Sequence, residues 1–146
     1  MALFWQGDLP WHPFWVHFPL ALWVTGSGIL LVCLVARKPG WVDFAWSLLA
    51  LAAVLAIPAA ITGQHELDRL SGELSSTMER HRDLGVLLPW LMGALVLLSL
   101  HFRLRAKALK VPLWIWCILT LIIAALILYT GYLGGVLVYA EGVGAR

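Results

Sequence analysis

Polar and apolar positions in this chain do not alternate; they separate into blocks. Four long apolar runs fall at about 14–36, 44–62, 82–102 and 111–138, and the charged residues gather between them. Crossing the hydrocarbon of a bilayer takes about 20 apolar residues, and each run is near that length or longer. Lipid offers no partner to a bare backbone N–H or C=O, so a spanning segment closes its own hydrogen bonds as a helix. The pattern predicts an all-α integral membrane four-helix bundle, one domain over residues 1–146.

Composition narrows the class. The chain is 62% hydrophobic and 12% charged, too apolar for a soluble domain of 146 residues. No soluble domain is left to bind nucleic acid or a nucleotide. The opening "MALFWQGDLPW" lacks a basic n-region and carries Asp8, so the first run is expected to be retained as a helix rather than removed as a signal peptide.

Charge sets the expected orientation. Arg37 and Lys38 lie in the first connection, and Arg103, Arg105, Lys107 and Lys110 in the third, against Asp43 alone. The other side carries Arg69, Arg80, Arg82 and Arg146 among seven acidic residues. Lys and Arg concentrate on cytoplasmic loops. Connections one and three are therefore expected in the cytoplasm, and both termini with the second connection on the periplasmic side of a bacterial inner membrane. Trp5, Trp11 and Trp15, like Trp41, Trp46, Trp114 and Trp116, fall at predicted helix ends, where amphipathic rings anchor at the headgroups. Trp23 and Trp90 lie deeper and are expected to line the bundle.

Packing and helix ends leave their own marks. The second run is alanine-rich, and the fourth ends in "TGYLGGVLVY", where Gly131 and Gly135 form a GxxxG pair suited to close helix approach or to a flat cofactor wall. Pro19, Pro58 and Pro89 fall inside predicted helices and favour kinks. Ser76 and Glu79 make a capping box that predicts the start of the third helix. The stretch from Gln64 to Leu74, with Leu67, Leu70 and Leu74, predicts a short surface helix.

The candidate chemistry lies in histidine. Of five histidines, His12, His17, His65 and His81 map to one face of the membrane from three different helices, and His101 to the other. Ionisable groups at membrane depth mark function more often than they do in water, and imidazole is the commonest metal ligand. Two imidazoles from facing helices can ligate a haem iron axially; three or four can hold copper or zinc. His17 follows Pro13 by about one turn. Gly85 follows His81 by about one turn and leaves room for a porphyrin edge. His17 and His81 are therefore expected to be the facing pair, with His12 and His65 as a second pair, as extra metal ligands, or at the headgroups. Arg80 and Arg82 flank His81, where they can bind haem propionates or pair with Glu79 and Asp83. No CxxCH, GxSxG or phosphate-cradling loop is present, and "HELDR" lacks the second histidine of a zinc protease. Cys33 and Cys117 fall in the cytoplasmic half, where a structural disulfide is not expected.

"HPFWVHFPLAL", "TG" closing the second run, "HRDLG" opening the third and "GYLGGVLVYAEGVG" at the end resemble a family of small bacterial four-helix membrane proteins known as a domain of unknown function. The resemblance spans nearly the whole chain. It implies a four-helix bundle, with His12, His17 and His81 as characteristic histidines and b-type haem binding with a redox role; His65 matches no position of that pattern.

Three functions follow as expectations. The first is an electron-transfer cytochrome, an electron-transfer subunit more than a stand-alone enzyme. It holds one haem b, with a second as the variant reading, and exchanges electrons with a quinol, a cytochrome or another membrane subunit. The second is a copper- or zinc-binding membrane protein using His12, His17, His65 and His81. The third is a cofactor-free structural subunit of a membrane complex.

Overall fold

A computed structural model describes residues 11–68, 74–105 and 111–143. It contains four long helices: α1 (Trp11–Val35), α2 (Val42–Asp68), α3 (Ser76–Leu104) and α4 (Leu113–Tyr139), with a short 3-10 turn, Pro39–Trp41, leading into α2. All four are long and apolar enough to cross a membrane. Helices α1 and α2, α2 and α3, and α3 and α4 pack as successive pairs, and α1 closes the ring against α4. Among the described residues, α1 and α3 share no backbone contact, nor do α2 and α4. The cross-section is thus a square, with α1 and α3 on one diagonal.

Each helix buries one stripe at heptad-like spacing, as helices do when they cross at small angles. On α1 the stripe includes Pro19, Trp23, Gly26, Leu30 and Cys33; on α2, Ala45, Leu49, Ala52, Ala56 and Ala59. On α3 it is Met78, Leu88, Met92, Leu95 and Ser99, and on α4, Trp116, Thr120, Ile123, Ile127 and Thr130. Between α1 and α2 the small residues allow close approach. A Cβ on Gly26 would lie 2.9 Å from Leu49 Cγ and 3.1 Å from the Ala45 carbonyl oxygen. Between α1 and α4 the lock is polar. The Trp23 indole N–H donates to the Thr120 carbonyl at 3.0 Å, and the Ser27 hydroxyl donates to the same oxygen at 3.4 Å. At the end bearing the first and third connections, Trp46 meets Trp116 edge-on at 5.6 Å between ring centroids, and Arg103 pairs with Asp43. The outward faces are apolar, with Val32, Val54, Trp90, Leu97 and Ile122 all exposed. That suits lipid, not water.

Several expectations change. Trp23 lines the bundle, but Trp90 points outward and is 75% exposed. Pro19, Pro58 and Pro89 do lie inside helices, as expected. The Thr62 hydroxyl bonds the Pro58 and Ala59 carbonyls at 2.8 and 3.0 Å in the turn that follows Pro58. No separate surface helix begins at Gln64, because residues 64–68 continue α2. The cap of α3 is Ser75, one residue earlier than the capping box implied; its hydroxyl accepts from the Met78 N–H at 3.2 Å. Trp5, Asp8, Arg69, Leu70, Lys107, Lys110 and Arg146 lie outside the described residues.

Candidate functional site: an imidazole pair between diagonal helices

The buried stripes all reach the end of the bundle where α1 and α3 begin and α2 and α4 finish. There His12 on α1 lies against Gly63 on α2, His81 on α3 lies against Gly134 on α4, and the two histidines meet in one layer. Two imidazoles therefore occupy one diagonal of the square and two glycines the other. The His12 and His81 ring centroids are 6.0 Å apart, with the ring planes at 86°. Both rings are half-buried.

Each imidazole is held by the helix that follows its own in sequence. His12 Nδ1 donates to the Ala59 carbonyl of α2 at 2.9 Å. His81 Nδ1 donates to the Thr130 carbonyl of α4 at 3.0 Å. A carbonyl oxygen only accepts, so Nδ1 carries the proton in both rings, and each neutral ring keeps its lone pair on Nε2. The two docks share one design. The accepting carbonyl stands four residues before a glycine, Ala59 before Gly63 and Thr130 before Gly134, and the ring lies against that glycine. A Cβ on Gly63 would come within 2.9 Å of His12 Cε1, and one on Gly134 within 3.2 Å of His81 Cε1.

The other candidates are placed differently. His17 does not face His81: it is exposed, its Nδ1 bonds the Pro13 carbonyl of its own helix, and it borders a shallow outward groove with Phe14 and Phe18. Helix geometry gives the reason. Five residues rotate the direction by about 140° beyond a full turn, so only one of His12 and His17 can point inward. His65 is exposed on α2 and takes no part in the pair, which removes the His12–His65 arrangement. The four outer histidines therefore do not gather. Among the described residues no three His, Cys, Asp or Glu side chains group closely enough to hold a metal ion.

Arg80 is exposed, and Arg82 pairs with Asp83 at 2.9 Å, the bland arrangement weighed from the sequence. Gly131 supports α1–α4 packing, since a Cβ there would sit 3.5 Å from Leu20 Cδ1. Gly135 borders an outward groove with Tyr132 and Tyr139 and does not face the pair. Gly85 is half-buried one turn beyond His81, and a Cβ there would meet nothing within 4 Å.

Gly63 and Gly134 escaped the sequence reading, as did the inward role of His12. The available signal was periodicity. Positions 12, 19, 23, 26, 30 and 33 share one face of a helix, as do 81, 85, 88, 92, 95 and 99.

Comparison with known proteins agrees with this architecture. No curated protein and no solved structure matches the chain. Residues 8–146 match the family model described as "Predicted membrane protein (DUF2231)", and the chain belongs to that family.

Proposed function

We propose that this protein is a membrane-bound b-type haem electron-transfer protein or subunit, with His12 and His81 as the two axial ligands of a single haem. The observation that carries this reading is the imidazole pair: rings from diagonal helices, 6.0 Å apart, each with Nδ1 committed to a backbone carbonyl. Metal–nitrogen bonds of about 2 Å on either side of one ion, plus the ring radii, separate two imidazole centroids by roughly 6 Å. Metal-bound histidine characteristically donates its other ring N–H to a carbonyl or carboxylate, which fixes the ring and raises the basicity of the ligating nitrogen. Two axial histidines are all that a haem iron asks of the protein, so the absence of a larger ligand cluster among the described residues does not weigh against it.

Two further features support the reading: Gly63 and Gly134 let each ring lie against bare backbone, and Gly85 places no side chain one turn further in. Bound haem supplies a one-electron ferric/ferrous couple. The chain's part is to hold the two imidazoles in one tautomer, to cover the site with apolar helix faces, and to set it near one end of the bundle. Arg80, and Arg82 if released from Asp83, lie where propionates at that end could be met. With connections one and three in the cytoplasm, the site belongs to the periplasmic side of a bacterial inner membrane. Its exchange partner there is a quinol, a periplasmic cytochrome or a partner subunit.

The test is the visible spectrum of protein purified from haem-replete cells. Reduced-minus-oxidised bands of a bis-imidazole haem are expected in the wild type and in His17→Ala, and are expected to vanish in His12→Ala and His81→Ala. A featureless wild-type trace overturns the proposal, and so do bands that survive loss of both His12 and His81.

A further inference from the structure

The two docks differ in residue type from an ordinary helix contact in one respect, the bare backbone against which each ring lies. We propose that Gly63 and Gly134 are positioning residues for the imidazole pair. They act through His12 and His81 by admitting each ring to the carbonyl one turn earlier, and so determine that Nε2 is the nitrogen left free to bind.

Sterics support a specific role. At Gly63 the atoms that an added Cβ would meet are all on the His12 ring: Cε1 at 2.9 Å, Nδ1 at 3.1 Å and Nε2 at 3.5 Å. At Gly134 they are all on the His81 ring, at 3.2, 3.7 and 4.0 Å. No backbone atom is among the nearest neighbours at either position. The strain of an alanine would therefore fall on the far end of one rotatable side chain, and the ring would yield before the bundle did. Gly26 provides the contrast, because a Cβ there would press on the Ala45 carbonyl itself. The shorter approach at Gly63 ranks its substitution above that at Gly134. The same step of carbonyl and glycine occurs in both hairpins, α1–α2 and α3–α4. One hairpin supplies His12 and its dock; the other supplies His81 and its dock. The pair exists only where the two hairpins meet.

The histidine tautomer tests this without any cofactor. In haem-free protein in micelles, nitrogen-15 spectra of the imidazoles are expected to show His12, identified by its loss in His12→Gln, as the Nδ1–H tautomer. In Gly63→Ala that signal is expected to become a mixture of tautomers, while Gly135→Ala leaves it unchanged. A His12 signal identical in wild type and Gly63→Ala overturns the inference. A second arm rests on the haem reading: loss of a partner that orients a metal ligand costs about 10–100-fold in affinity. Haem titration is therefore expected to weaken by that factor in Gly63→Ala, less in Gly134→Ala, and not in Gly135→Ala, with high-spin signal appearing in the first. Equal affinity and spin state in all three would overturn it. A tautomer change in a protein that binds no haem would uphold the positioning role and overturn the haem assignment alone.

Discussion

His12 and His81 approach to 6.0 Å between ring centroids although their helices, α1 and α3, stand on a diagonal and share no backbone contact among the described residues. The side chains alone cross the bundle. Each is steadied by a helix lying between them in the ring, α2 through Ala59 and α4 through Thr130. An oriented imidazole pair thus draws on all four helices, which ties the site to the packing of the whole bundle.

Packing between α1 and α2 depends on Gly26. A valine there must displace Leu49 and crowd the Ala45 carbonyl. Overpacking of this kind costs about 1–3 kcal/mol. Gly26→Val is expected to lower the thermal midpoint in detergent by several degrees. Gly28→Val, with nothing within 4 Å of its Cβ, is expected to change it little.

Between α1 and α4, the buried Trp23 indole N–H reaches the Thr120 carbonyl. Hydrogen bonds between helices in membranes contribute about 0.6 kcal/mol on average and up to about 1.7. Trp23→Phe also removes buried ring volume, so a loss of roughly 1–2 kcal/mol is expected from both terms together. Circular dichroism during thermal unfolding measures it. A midpoint equal to that of the wild type would show that the contact contributes nothing.

Ser75 caps α3 and also donates to Glu141, just beyond α4, at 2.6 Å. Ser75→Ala is expected to cost about 1 kcal/mol through the lost cap. The Glu141 carboxyl is held below its ordinary value by hydrogen bonds from the Ser75 hydroxyl and then the Thr77 hydroxyl. A carboxyl whose folded value lies below its unfolded value stabilises fully above the unfolded value, and that contribution fades as pH falls through the folded one. The difference in thermal midpoint between wild type and Glu141→Gln is therefore expected to be largest near neutral pH and to shrink as pH drops below the carboxylate range. A difference independent of pH would contradict it.

Orientation can be read by thiol labelling, because Cys33 and Cys117 are both buried and give little background. Arg105→Cys is expected to react with an impermeant maleimide only after the cytoplasmic side is opened. Val143→Cys is expected to react in intact spheroplasts. The reverse pattern would place the imidazole pair at the cytoplasmic face.

The number of helices and their approximate extent are written in the sequence, because burying about 20 apolar residues in lipid outweighs any competing arrangement of those segments. The separation of His101 from the other histidines followed as simply, from helix rise alone. The histidines were legible as candidate ligands too, because four of the five map to one end of the bundle. Sequence did not determine which of them meet. His12 and His17 sit within one and a half turns, and position along the chain favoured His17. Only packing the stripe of Pro19, Trp23 and Leu30 against α2 and α4 turns the first inward and the second out. The docking carbonyls were invisible for a deeper reason: every residue has one. Ala59 and Thr130 accept an imidazole N–H only because a glycine one turn later lets a ring from another helix lie against the backbone. Such a contact joins residues 47 and 49 positions apart, and it is a property of the assembled bundle, not of any single segment.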